Sequence, residues 1–469
     1  MVMCSPCPAM TSFTTITPGA LPVAHCKVAS RRPACQGLSD EWPARNVRRC
    51  YRAKQMSAVG AMSYTTLANE TTNNGPEWRR ADLSRVGVPE EVGNALDRSA
   101  LGRRATLFHD PRWLTANASV ESRRAILYSA WDGGEIVGLA TFLLHRSAVP
   151  LSLGDLTLYA HRVERFNALA APIVDGGGDH AREALLIESL LRRLREDLGP
   201  RQVVFLESVI EGSPLYAALN GGRVPGPRLF HALPNGPLYS HRVAKIPESF
   251  DAYLAQLGAR SRADLRTNRK RFISGAGKTY RTRCFHTQGD VADFVADACA
   301  VSRKTYQYRL LAAGLRDPEG LERCYTMTAG LGWFRSYVLY VDDAPIAFQA
   351  GHVYAGCYFA QEIGYDPEWA PHHVGIFLHT EIVAHLATLG GAVTGFDFGN
   401  GDNLHKQRLS TDGYREGYYY LIPADLPGSV LAYSMKAVGK VSSTLGAILD
   451  RLGLRKKARD LLRRLGFSR

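Results

Sequence analysis

Two carboxylates, an imidazole and an ammonium fall close together in the run Asp397-Phe-Gly-Asn-Gly-Asp-Asn-Leu-His-Lys406. Groups of these types at this spacing can take up a proton and hold an anion. Asp397 sits between Phe396 and Phe398, and apolar rings around a buried carboxylate raise its pKa toward a useful range. The same aspartate, placed before a glycine, is also suited to tying a loop by accepting backbone N–H bonds. Glu362 is a further carboxylate on a β-rich run, where glutamates often face solvent. His405 titrates near neutrality. Lys406 can pair with Asp402, bind an anion, or stand as a surface charge. His372 and His373 are adjacent and do not have the spacing of a metal pair, so no metal is called for.

The elements that position these groups follow from turn and strand signals between 333 and 406. Residues 336–341 are β-rich, Asp342-Asp-Ala-Pro345 breaks the run, and 346–354 resumes it, which predicts a hairpin. Ala355-Gly356 makes the next turn, 357–365 forms a third strand, and Asp366-Pro367 ends it, since proline offers no N–H to a ladder. Ala370-Pro-His-His-Val-Gly375 then enters a helix marked by Ile376, Phe377, Thr380, Ile382, Val383 and Leu386. The first turn of that helix has unpaired N–H groups, so His373, Val374, Gly375 and Ile376 are the expected phosphate contacts. A last strand over 393–398 delivers Asp397.

Hairpin, third strand, Tyr365-Asp-Pro, Pro-His-His-Val-Gly and Asp397-Phe-Gly-Asn-Gly-Asp402 with Lys406 together resemble one acetyltransferase branch of the GNAT superfamily. This is the branch associated with bacterial envelope-polysaccharide biosynthesis, and it is similar to the Fem-type aminoacyl transferases. The resemblance spans 250–423 and departs from the pattern at His405, where an aromatic residue is expected before the lysine. It implies an α/β fold of tandem GNAT-like units, each a mixed, mostly antiparallel sheet flanked by helices. It also implies acyl-CoA, and acetyl-CoA in particular, as co-substrate, with direct N- or O-acyl transfer to an envelope sugar, amine or polysaccharide precursor. Asp397, Asp402, Glu362 and His405 are then the candidates for proton removal, and Tyr414 for protonating the leaving thiolate. His373–Ile376 would take the coenzyme pyrophosphate, and Lys406, Arg260, Tyr306 and Arg309 would face the acceptor. Two other readings stand beside this one: a Fem-like transferase drawing on aminoacyl-tRNA, and a non-catalytic tandem module that binds assembly partners.

The rest of the chain fits a tandem plan. In the 85–245 segment, Asp132-Gly-Gly-Glu135 joins two β-rich runs, a loop ending in Gly176-Gly-Gly178 leads to a helix over 181–198, and 202–207 is a buried strand. This repeats the order of the 246–425 segment. Between them lies a basic helix, 260–271, either anion-facing or a solvated connector. Two helices are expected over 291–312 and 318–331. Residues 1–75 lack periodicity and read as disordered, as a transit peptide, or as an over-extended start with the true one at Met56 or Met62. Residues 427–469 read as a basic amphipathic tail, with Leu431, Val438, Val441, Leu445, Ile448 and Leu452 on one face, suited to packing on the domain, to an anionic membrane or to tRNA.

The net charge of +13 fits an anionic partner. Cys284, Cys299, Cys324 and Cys357 read as reduced core thiols, and no apolar run reaches membrane-spanning length. The expected location is cytoplasmic or peripheral at the inner face of the membrane.

Overall fold

The computed structural model describes residues 76–120, 123–154, 156–221, 229–276, 279–310 and 313–453. The 1–75 extension and the end of the basic tail lie outside these residues. In the first unit the strands are β1 (Glu77–Asp82), β2 (Arg124–Asp132), β3 (Glu135–Leu153), β4 (Leu156–Ala168), β5 (Ile173–Val174), β6 (Gln202–Ile210), β7 (Phe230–Pro234) and β8 (Tyr239–Lys245). In the second they are β9 (Tyr280–Phe285), β10 (Ser336–Val341), β11 (Ala344–Tyr354), β12 (Cys357–Tyr365), β13 (Gly395–Asn400) and β14 (Asp412–Pro423).

All of them join one mixed sheet, with the path β1-β2-β3-β4-β6-β14-β8-β13-β12-β11-β10-β9. Only β4 with β6 and β12 with β13 run parallel. The two hairpins read from the sequence have the same kind of turn. Asp342 and Asp343 lie at φ 48° and 63°, and Gly133 and Gly134 at φ 57° and 86°, the left-handed pair that matches the natural twist of two antiparallel strands.

The path shows a reciprocal exchange at the centre. β14, the last strand of the chain, pairs with β6 of the first unit, whereas β8, which ends the first unit, pairs with β13 of the second. β8 and β14 are themselves neighbours. Alternation along β14 sends Tyr419 and Leu421 into a core with Phe166, Val204 and Leu206, and Tyr420 and Ile422 to the other face beside Phe205 and Leu233. Ala244, at the end of β8, packs with Phe396 and Leu409. The sheet curves enough for Trp113 and Leu127 of the first unit to share a core with Tyr354 and Phe359 of the second.

Three elements differ from the sequence reading. The expected 291–312 helix breaks into Val291–Lys304 and Tyr306–Leu310 at Thr305, whose hydroxyl donates to the Ser302 carbonyl and accepts from the Tyr308 amide, ending one helix and capping the next. β3 and β4 extend as one long hairpin well past Leu144. The tail helix, Leu426–Arg451, does not bury the single apolar face expected: Leu431 and Ala432 are buried, whereas Val441, Leu445 and Ile448 are exposed.

Because β14 completes the first unit's core, Leu421→Ala should destabilise the whole chain by about 3 kcal/mol. Denaturant unfolding should show one transition moving as a unit. Two transitions, with only the second unit's displaced, would contradict this reading.

Candidate active site

β12 and β13 stay paired for only three steps, Cys357 with Gly395, Tyr358 with Phe396 and Phe359 with Asp397, and then part. Backbone groups of β12 beyond Phe359 have no partner on the β13 side, so the two strands open a wedge with Asp397 at its apex. Within this wedge β12 carries a bulge. Against β11, Gly351 faces Ala360 but Ala350 faces Glu362, so Gln361 is the extra residue.

The extra residue decides where Glu362 points. Phe359 lies opposite His352, whose imidazole contacts the Thr328 hydroxyl of the Pro318–Gly330 helix at 3.0 Å. Glu362 lies opposite Ala350, which packs with Phe294, Ala298 and Tyr325 on the same face. Tyr358, Ala360, Phe396 and Phe398 take the opposite face, under the Val374–Ala387 helix. Glu362 thus shares its face with Phe359 and Asp397, although strict alternation from Phe359 would have turned it away. Its carboxylate has no hydrogen bond or ion pair among the described residues, and burial raises its pKa to about 7.

A buried amide fixes the bulge. Gln349 donates from Nε2 to the carbonyls of Ala350 at 2.7 Å and Glu362 at 3.1 Å. Its Oε1 lies 2.9 Å from His379 Nε2. Burial, followed by the charges of His405 and Lys406, holds His379 well below its ordinary pKa, so the ring is neutral and Nε2–H is the donor.

At the apex Asp397 contacts His241 of β8. The imidazole lies 2.6 Å from Asp397 Oδ1 through Nε2 and 2.6 Å from Glu416 Oε1 of β14 through Nδ1. Burial alone would push His241 down, but the two carboxylates outweigh it and raise the pKa to about 9, so the ring is an imidazolium at neutral pH. Tyr414 stacks on it with centroids 4.6 Å apart. Asp397 also accepts the Gly399 amide at 2.7 Å, so the loop-tying role and the site position coincide in one residue.

The other groups named from the sequence are dispersed. Asp402 is exposed and pairs with Arg242 at 2.7 Å, and Lys406 donates to the Phe398 and Asn400 carbonyls at 2.5 and 2.7 Å, closing the turn after β13. His405 lies beside His379 on the helix side of the sheet, and burial followed by Lys406 lowers it to about 4. Arg260 stands in the first turn of the Ala259–Ala276 helix, which packs along Val374–Ala387 through Phe272 against Phe377. Tyr306 and Arg309 are exposed just past Lys304, which bridges to Asp366 at 2.6 Å where β12 ends. His241 and Glu416 were not singled out from the sequence. The alternation of Tyr239, His241 and Val243 against Ser240, Arg242 and Ala244 is the signal that marks β8.

Val374, Gly375 and Ile376 form the first turn of their helix, as expected. His373 precedes them at φ 54°, and no side chain caps the turn. Ile376 and Phe377 donate to the His373 carbonyl, so this turn opens the helix directly after the 3-10 turn Pro367–His372. Arg271 contacts His373 Nε2 at 2.9 Å. Burial, then Arg271, Arg408 and His372, lower the pKa of His373, which marks the helix entry as electropositive. The corresponding entry in the first unit is acidic: Asp179 caps the His180–Asp197 helix by accepting the Ala181 amide, Asp175 accepts the Gly177 amide, and Glu183 lies in the first turn.

A histidine with a raised pKa stabilises the fold fully below its unfolded value of 6.5, and that contribution is lost as pH rises through about 9. The His241 ring should therefore remain protonated at neutral pH in an NMR titration, with stability declining across that window. His241→Asn should flatten the decline, and a ring titrating near its ordinary value would refute the assignment.

Residues 259–407 match the family model described as acetyltransferase (GNAT) domain. No curated protein sequence matches the chain. Among solved structures, FemX aligns with a TM-score of 0.48 at 9% identity over 73% of this chain and 96% of that one. A tandem GNAT protein from the clavulanic acid biosynthesis pathway aligns with a TM-score of 0.44 at 13% identity, over 74% and 98%. The C-terminal domain of a putative lysylphosphatidylglycerol synthetase from Agrobacterium fabrum gives 0.44 at 13%, over 74% and 96%. The chain thus carries an acetyltransferase (GNAT) domain over residues 259–407, in a fold whose two units share one sheet.

Proposed function

We propose that this chain moves an acyl group, acetyl in the simplest case, directly from coenzyme A to an amine or hydroxyl of an envelope sugar or polysaccharide precursor, with Glu362 as the base. The observation that carries the reading is the wedge between β12 and β13, with a bulge that turns a desolvated carboxylate of pKa about 7 to the same face as Asp397.

The residues present fit the coenzyme. The first turn of the Val374–Ala387 helix and the nearby Arg271 suit a pyrophosphate. A Cβ added at Gly375 would rest 3.7 Å from the Tyr365 ring and 3.9 Å from Ile363, an ordinary contact, so the entry has room beside it. Bound there, the coenzyme supplies an acyl carbon activated as a thioester. The unpaired backbone of β12 in the wedge hydrogen-bonds the extended arm of that ligand. Glu362 accepts the proton of the attacking amine or hydroxyl as that atom bonds to the acyl carbon; the thioester C–S bond breaks, and coenzyme A leaves as the thiol, taking up the proton Glu362 received. A base with a pKa near 7 is half ionised at neutral pH and still strong enough for this. The His241 imidazolium holds Asp397 in place between β8 and β13, and Tyr414 packs over that imidazole. Exposed Tyr306 and Arg309, beyond Lys304, supply the acceptor side. The carboxylates at the first unit's helix entry repel a pyrophosphate, so a single coenzyme binds per chain, in the second unit.

Glu362→Gln should lower turnover by about 10²–10⁴-fold and remove the limb of the pH–rate profile near pH 7. Ionising Glu362 costs the fold stability as pH rises from 4.5 through about 7. The Gln variant should therefore be no less stable than the parent at pH 8. Full activity with an unaltered pH profile would remove Glu362 as the base. Gly375→Glu should abolish the rise in melting temperature on adding acetyl-CoA while leaving the free protein folded, and an unchanged rise would remove the phosphate assignment.

A further inference from the structure

The Leu426–Arg451 helix packs against the sheet by one side. Leu431, Ala432 and Met435 join the core beside Val149, Leu233 and Ile422. Further along, the Ser442 hydroxyl accepts the Gly154 amide of the long β3–β4 hairpin at 2.8 Å, and Val438 and Leu449 are half-buried. Other large apolar residues face away. Val441, Leu445, Ile448 and Leu452, spaced as a single helical stripe, are 56%, 44%, 46% and 63% exposed. Val430 and Tyr433 are exposed about three and two turns before Val441, and Leu158 and Tyr159 are exposed on the return strand of the hairpin.

A core-seeking helix would turn these aliphatic side chains inward; this one leaves them in solvent. The charges alongside it have one sign: Lys436, Lys440 and Arg451 are exposed. Residues 426–469 contain ten Lys and Arg against two Asp, so they hold +8 of the chain's +13. The two acids, Asp450 and Asp460, do not offset a run that includes Arg455, Lys456, Lys457, Arg459, Arg463 and Arg464. No helix among the described residues is long and apolar enough to cross a membrane.

We infer that this stripe, with the basic residues around and after it, is a docking surface for an anionic lipid bilayer, on which the helix lies flat. An aliphatic stripe flanked by cations has the chemistry of an interfacial helix: the aliphatic side chains enter the acyl boundary and the cations meet the lipid phosphates. A second copy of the chain would present the same positive charge to itself, and nucleic acid would leave the aliphatic stripe in water. This inference does not depend on the acyl-transfer reading.

The test is sedimentation of the full chain with vesicles in about 0.1 M salt. Binding to phosphatidylglycerol vesicles is expected, with little to pure phosphatidylcholine and a marked loss when salt is raised. Leu445→Gln/Ile448→Gln, at exposed positions, should weaken binding at least about tenfold without lowering the melting temperature. The inference is overturned by failure of the parent to bind phosphatidylglycerol. It is equally overturned by undiminished binding of the variant, or by a dimer in solution that the variant dissolves while vesicle binding is absent.

Discussion

A parallel strand pair has to keep both ladders in register, and one unmatched residue is enough to end the arrangement. On β12 that residue is Gln361. It shifts the alternation so that Glu362 emerges on the face bearing the Val291–Lys304 and Pro318–Gly330 helices, close to where pairing with β13 stops. The wedge, the orientation of the carboxylate and its desolvation all trace back to this local geometry. Gln349 makes it durable, because two carbonyls at the irregularity would otherwise compete for donors in a buried strand, and its amide satisfies both. Neutral His379 completes the arrangement by occupying the one acceptor Gln349 has left.

The apex is held differently. His241 places a cation between two buried carboxylates that belong to separate strands, one just before the glycine-rich turn and the other on β14. Removing one member of such a trio leaves an uncompensated charge away from water, so the contact specifies position more than it adds stability. It also ties the second unit's site to the strand exchange: Asp397 lies on β13, His241 on β8 and Glu416 on β14, and these meet only because β8 and β14 are adjacent.

Much of this is legible in the residues themselves. The hairpin over 336–354, the strand 357–365 and the helix after Pro371 are specified by local signals: paired aspartates at a turn, alternating aliphatics, and proline where pairing stops. Gly375 at a helix start and Asp397 at a strand end follow from the same signals. His241 and Glu416 do not, because their meeting depends on pairing between residues more than 150 positions apart. The bulge is also unreadable locally, since Ala360-Gln-Glu-Ile363 fits an ordinary strand and only its register against β11 shows the extra residue. The break at Thr305 follows from a hydroxyl competing for backbone groups. The tail helix misleads in another way: its 3.6-residue periodicity is correct, but periodicity does not say which side faces the protein.

The exchange of β8 and β14 has a consequence for how the polypeptide matures. The strand Gln202–Ile210 leaves the ribosome early, but its neighbour Asp412–Pro423 is made about 200 residues later, an interval of roughly 10–40 s at about 5–20 residues per second. Throughout that interval the nascent first half carries an open β-edge and an incomplete core lacking Tyr419 and Leu421. Biogenesis of this molecule therefore favours a holdase over domain-by-domain folding, and truncations that remove β14 should be cleared by proteolysis.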